Sequence, residues 1–233
     1  MRIFVLGAAL AGLAVAPAAA QAPASAFLAP GDLDPVLILP PPPADGSPAA
    51  AAELAELHAI QAARSAERLT QARHDNDVED VTAIADVLGP AFDLERFPAT
   101  AKLFSDLRKE DSAAAKRAKA YFERTRPWAV DATLEPCDRE DKPKTSYPSG
   151  HATMGYAAGA ALAQLLPGNA QILQARAADY AESRLVCGVH YRRDIEAGHV
   201  LGVALVAALM TKPAFRAEFE AARAELTAAH LAP

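Results

Sequence analysis

The stretch His190–Thr211, HYRRDIEAGHVLGVALVAALMT, decides the reading of the fold. Its second half, Val200 to Met210, is strongly apolar yet too short to cross a bilayer, which takes about 20 residues. It therefore predicts the buried central helix of a globular domain. On its C-terminal side Pro213 opens an amphipathic helix carrying Phe215, Phe219 and Leu226. On its N-terminal side Gly188 marks a turn, and a helix capped by Asn169 runs through Ile172, Leu173 and Tyr180 to about Arg184. Before that, Ser149 to Leu166 reads as a helix stopped by Pro167-Gly168. Residues 127 to 148 hold prolines, charges and Cys137 and read as a long loop, which inside a compact domain usually carries function. Further upstream the pattern predicts helices over Asp111–Arg124, opened by an acidic cap, over Thr100–Lys109 and over Asp80–Leu88. From Pro48 onward Leu54, Leu57, Ile60 and Ala63 recur at spacings of three. No convincing strand and no internal repeat is present. With abundant Ala and only 6% aromatic residues, the fold class is all-α, a helical bundle forming one domain over residues 49–233.

The segment before that domain divides in two. Arg2 is a short basic region, Ile3 to Val15 is apolar, Pro17 breaks the run, and Ala18-Ala19-Ala20 offers a small-residue cleavage site. Residues 1–20 thus read as a signal peptide, too short in its apolar run for an anchor, and imply export to the periplasm with no membrane insertion after cleavage. Residues 21–48, rich in Ala and Pro and containing Pro40 to Pro43, read as an extended arm lying on the surface or on a partner subunit. The apolar Val36-Leu37-Ile38-Leu39 suggests that the arm is pinned.

The charge balance is −6, and loss of the leader removes Arg2 alone. An acidic chain of this kind argues against a nucleic-acid binder, which needs a basic stripe. It leaves room for an anionic small molecule held by a local cluster of Arg and Lys. In an exported chain the two cysteines, Cys137 and Cys187, are expected to form one disulfide. Closing a loop of this length is worth roughly 4 kcal/mol in the chain-entropy picture.

Three blocks of residues carry the chemistry. His190 and Asp194 are four apart, so on a helix they share a face. The carboxylate can then fix one ring nitrogen and leave the other free as base or nucleophile, although the same spacing also suits an ordinary surface ion pair. Ser149, Gly150 and His151 fall at a helix start, where free backbone N–H groups and the dipole favour an anion. A protonated His151 beside that anion could hand a proton to a leaving oxygen; the alternative is a plain capped helix with an exposed histidine. Lys119, Arg126 and Arg184 offer charges that persist at any working pH, and taken singly each also fits a solvated surface cation. Together the blocks supply a nucleophile, an acid and fixed positive charge, the set that phosphoryl transfer requires. No carboxylate cluster or Cys/His set stands out as a metal site, so no cofactor and no metal is expected.

At these residues the chain resembles the phosphatidic acid phosphatase type 2 superfamily, whose signature reads K-x6-R-P, then P-S-G-H, then S-R-x5-H-x3-D. Lys119 and Arg126-Pro127, Pro148 to His151, and Ser183-Arg184 with His190 and Asp194 meet it without a gap. The strings Leu39 to Pro43, Ser146 to His151 and Val186 to His190 extend the similarity to the class A non-specific acid phosphatases of the bacterial periplasm, over about residues 36 to 230. The resemblance implies the acid phosphatase/vanadium-dependent haloperoxidase type of helical bundle and metal-independent hydrolysis of phosphate monoesters with broad specificity. It further implies that His190 attacks phosphorus to form a phosphohistidine, that Asp194 orients it and that His151 protonates the leaving alcohol. Lys119, Arg126, Ser149, Gly150 and Arg184 would hold the phosphoryl oxygens, Cys137 and Cys187 would pair, and a homo-oligomer would form. Ala152, Thr145 and His199 depart from the family's usual residues outside the signature.

The opposed demands of an unprotonated His190 and a protonated His151 predict a bell-shaped rate profile with its optimum below neutrality. Two alternatives belong beside this reading. One is a vanadium-dependent haloperoxidase, whose oxyanion pocket is alike; the other is a non-catalytic periplasmic phosphate-binding helical protein.

Overall fold

The computed structural model describes residues 27–29, 31–139 and 141–232. The leader expected at residues 1–20 lies outside them. Among the described residues there is no β-strand, and seven long helices carry the fold: α1 Pro48–Ala63, α2 Ala66–Asp77, α3 Pro98–Phe122, α4 Gly150–Leu165, α5 Ala170–Val186, α6 Arg192–Leu209 and α7 Pro213–Ala228.

The centre is α4, which packs most extensively against α6 on one side and α5 on the other. Small residues set how closely these three approach. A Cβ on Gly202 of α6 would stand 2.5 Å from the Thr153 carbonyl oxygen, and one on Gly198 would stand 2.7 Å from Cβ of Ala152. On the other flank a Cβ on Gly155 would stand 2.7 Å from Cδ1 of Tyr180 in α5. Glycine therefore lets backbone meet backbone along α4, and the N-termini of α4 and α6 arrive side by side. The Ser149 N–H donates to the Asp194 carbonyl at 3.0 Å across that junction. Around it Leu201, Leu205 and Leu209 of α6 and Phe215, Phe219 and Leu226 of α7 are fully buried. Each such side chain contributes about 1.5–3 kcal/mol of burial. Leu103 and Leu107 of α3 join the same cluster.

Several boundaries differ from the sequence-based expectation. The two helices expected over 100–109 and 111–124 are one 25-residue helix, α3. No Gly or Pro interrupts it, and the acidic residues at the expected break find partners elsewhere. Glu110 accepts from the Phe27 N–H at 2.8 Å, and Asp111 accepts from Arg108 Nη1 at 2.5 Å and caps nothing. The helix ends where Glu123 turns left-handed, at φ 45°. The helix α2 was not expected, because it carries no apolar stripe: its buried residues are Ala72 and Asp75. Asn169 precedes α5 without a side-chain capping bond. In the arm, Pro40 to Pro43 is non-helical, but Pro35–Ile38 forms one helical turn in place of extended chain, because Asp34 Oδ1 accepts from the Val36 N–H at 3.0 Å and Pro35 opens the turn. Leu33 and Leu39 are buried, and Tyr147 donates its hydroxyl to the Pro40 carbonyl at 2.5 Å. Cys137 and Cys187 form a disulfide. No single helix among the described residues is long and apolar enough to cross a membrane.

Candidate active site

His190 is not on a helix. It sits in the turn before α6, whose first residue is Arg192, and Tyr191 occupies the N-cap. The expected i,i+4 face is therefore corrected: Asp194, at the third position of the helix, reaches back over the helix start. Its Oδ2 lies 3.2 Å from His190 Nδ1 and accepts from the Tyr191 N–H at 2.9 Å. Two further donors complete the carboxylate. Ser146 gives its hydroxyl to Oδ2 at 2.6 Å, and Arg124 gives Nη1 to Oδ1 at 2.7 Å. Asp194 has no exposed surface, so this full set of donors satisfies a carboxylate that water does not reach.

The other ring nitrogen of His190 faces Arg126. Nη1 of that guanidinium lies 2.8 Å from Nε2 and also donates to the Val189 carbonyl at 2.9 Å. A guanidinium can only donate, so Nε2 accepts and carries no proton. The tautomer is thus fixed from both ends: Nδ1–H to Asp194, lone pair on Nε2. Burial, then the charges of Arg126, Lys119 and Arg184, holds this imidazole well below the usual histidine range. That shift favours the neutral ring.

The N-terminus of α4 supplies the next group. Ser149 is the N-cap, its Oγ accepting from the Ala152 N–H at 3.3 Å, and it is fully buried. Gly150 leaves the first turn open: a Cβ there would meet Glu79 Oε1 at 3.6 Å and Lys119 Nζ at 3.9 Å, so a longer side chain would enter the same space. His151 follows. Its Nε2 is 3.1 Å from the Asn76 carbonyl oxygen, and its Nδ1 is 3.4 Å from Glu79 Oε1. The ring stacks on Tyr180 with centroids 5.9 Å apart. Burial and then Arg184 lower its pKa well below the usual value; the Asn76 bond acts the other way, and His190 and Lys119 lower it further.

Lys119, Arg126, Gly150, His151 and His190 line one cavity of about 300 Å³. Glu79, Arg108, Asp111, Ser112 and Lys116 line it as well. Arg184 and Ser149 lie outside that lining. Arg184 is buried, donates Nη1 to Asn76 Oδ1 at 2.7 Å, and acts on both histidines through its charge. Its position depends on its neighbour Ser183, whose hydroxyl donates to Asp75 Oδ2 at 2.5 Å and ties α5 to α2. The same Asp75 takes Arg176 Nη2 at 2.5 Å.

The sequence reading missed five residues around these histidines. Arg124, only two residues from Arg126, braces Asp194 and stacks over the Tyr191 ring at 4.0 Å. Asn76 contacts both Arg184 and His151, and Glu79 stands beside His151 Nδ1. Arg108 pairs with Glu79 and Asp111, and burial pushes the Asp111 carboxyl up to about 8 despite that partner. No local pattern marks Asn76 or Glu79. Among the described residues no three His, Cys, Asp or Glu side chains gather as metal ligands.

Comparison with known proteins identifies relatives of the chain. The PAP2 superfamily profile matches residues 111–217, which contain both histidines. An acid phosphatase of Zymomonas mobilis is 32% identical over 208 residues, spanning 84% of this chain and 78% of that protein. A non-specific acid phosphatase of Salmonella typhi is 33% identical over 195 residues, with 81% and 78% covered. One from Providencia stuartii is 30% identical over 205 residues, with 83% and 81% covered.

Proposed function

The chain belongs to the PAP2 superfamily and is an acid phosphatase of the bacterial non-specific group, and from that premise we propose that it hydrolyses phosphate monoesters through a phosphohistidine on His190. The observation that carries this reading is the placement of the two ring nitrogens of His190, from which its tautomer follows. Its Nδ1–H is committed to Asp194 and its Nε2 lone pair is turned toward the cavity's cations.

In the first step Nε2 attacks phosphorus and the bond to the ester oxygen breaks. That oxygen takes a proton from His151, and the alcohol leaves. In the second step water attacks phosphorus, gives its proton to His151, and the P–N bond breaks to free phosphate and His190. Arg126 Nη1 lies against Nε2, so in this reading substrate draws the guanidinium from the lone pair onto a phosphoryl oxygen. Lys119, Arg184, the Ser149 hydroxyl and the backbone at Gly150 are the other proposed partners of those oxygens. These five groups, Arg126 included, keep their charge or dipole in acid, which supports activity without a metal.

Specificity is proposed to be broad, because the groups that read the phosphoryl end are fixed and the rest of the cavity is read only by shape and surface charge. We further propose an exported catalytic domain over residues 49–233, supported by the leader-like residues 1–20 and the disulfide. Self-association is supported by the arm, where Leu37 is 83% exposed beside a half-exposed Ile38. The test is hydrolysis of p-nitrophenyl phosphate in EDTA across a pH series. Turnover with an acidic optimum and inhibition by vanadate is expected; dependence on added metal, or an optimum near pH 9, would overturn the reading.

A further inference from the structure

Resting on the reading of His151 as the acid, we propose that Glu79 is its positioning residue, holding the proton on Nδ1 so that a second histidine–carboxylate pair complements His190–Asp194. The two pairs differ in origin. Asp194 lies four residues from its histidine, whereas Glu79 comes from the segment after α2, 72 residues before His151.

The argument starts from which nitrogen is free to work. A backbone carbonyl can only accept, so Nε2 donates its proton to the Asn76 oxygen at 3.1 Å. That leaves Nδ1, and Nδ1 faces Glu79 Oε1 at 3.4 Å. Both ring nitrogens therefore look at acceptor oxygens. A neutral ring would turn a lone pair on Nδ1 toward a carboxylate, whereas the imidazolium satisfies both. The Tyr180 ring stacked alongside limits reorientation.

Apart from the Asn76 bond, the main influences on the His151 charge disfavour it. Burial, Arg184, His190 and Lys119 all act against protonation. Among the described residues Glu79 is the carboxylate within ion-pair reach of the ring, and it is itself fixed. Arg108 donates Nη2 to Oε1 of Glu79 at 2.9 Å and Nε to its backbone oxygen at 3.0 Å. The far side of that guanidinium is held by Asp111. The carboxylate thus serves Arg108 and His151 from one oxygen, and its distance from Nδ1 leaves the proton available to a leaving oxygen.

The test is the pH dependence of Glu79→Gln and Glu79→Asp against an alkyl phosphate and against p-nitrophenyl phosphate. An opposite charge this close shifts a pKa by about one unit or more. In Glu79→Gln the alkaline limb of kcat/KM is expected to move to lower pH by about one unit. Near neutrality this costs roughly tenfold on the alkyl ester and less on p-nitrophenyl phosphate, whose leaving group needs little protonation. Glu79→Asp is expected to keep the limb between the two. If the limb stays in place while the variants fold and turn over, the proposal is overturned. It is equally overturned if the variant only binds phosphate more tightly with kcat unchanged, since Glu79 would then merely repel the substrate. The reading of His190 as nucleophile is tested separately by trapping, so failure of one leaves the other measurable.

Discussion

The two histidines of this protein are held in opposite ways. His190 belongs to a compact device written within a few residues, where Asp194 at the start of α6 takes Nδ1–H and is itself saturated by Ser146, Tyr191 and Arg124. His151 is held by residues from a remote segment, the Asn76 carbonyl on one nitrogen and Glu79 near the other. The first arrangement is dry, with Asp194 fully buried, while the Glu79 side chain is 38% exposed. The difference follows from their tasks. A nucleophile needs one invariant tautomer, whereas an acid must lose and regain a proton in each cycle and benefits from a route to water.

That contrast can be broken by substitution. Asp194→Asn removes the charge that fixes the tautomer and leaves a buried amide among donors. We expect kcat to fall by about 10³-fold or more at all pH values and on all esters. His151→Ala is expected to cost about 10²-fold or more on alkyl phosphates and distinctly less on p-nitrophenyl phosphate. Steady-state kinetics with the two ester classes reads both. Equal losses on both esters in His151→Ala would deny it the acid's role, and an ester-dependent loss in Asp194→Asn would blur the distinction between the sites.

A smaller effect sharpens the same comparison through stability. Both imidazoles are held below the ordinary histidine value by burial and neighbouring cations, so the unfolded chain binds more protons in acid than the folded one. Stability from this source is present above about pH 6.5, the unfolded value, and is lost as pH falls toward the depressed folded values. Thermal melts at pH 7 and pH 5 should show a smaller acid-induced drop in Tm for His190→Asn than for the parent. The drop should also shrink for His151→Asn, but by less, since the proposed Glu79 pair would offset part of the cost of its charge. Identical drops in all three proteins would refute the assignment.

What the sequence made legible follows the same division. The K-x6-R-P, P-S-G-H and S-R-x5-H-x3-D blocks brought Lys119, Arg126, Gly150, His151 and His190 to one cavity, because each block is short and its spacing survives in one dimension. The His190–Asp194 contact was anticipated, but on a helix face; the chain enters α6 only at Arg192, and the carboxylate caps its start. Asn76 and Glu79 were invisible. The helix leading to them, Ala66–Asp77, turns a polar face inward, with Asp75 answering Arg176 and Ser183, so hydrophobic periodicity had nothing to register. The break wrongly expected near residue 110 has a related cause: Asp111 looked like a cap, but its partner Arg108 lies one turn back in a continuous helix. The glycines that draw α6 onto α4 gave no signal either, since their role lies in what a Cβ would strike on another helix.

The account stands on the nucleophile. Rapid quenching of the protein with a ³²P-labelled monoester at acidic pH, followed by peptide mapping, should find an acid-labile, base-stable label on His190 that is absent in His190→Ala. Label on His151 or any other residue, or continued turnover in His190→Ala, would contradict it.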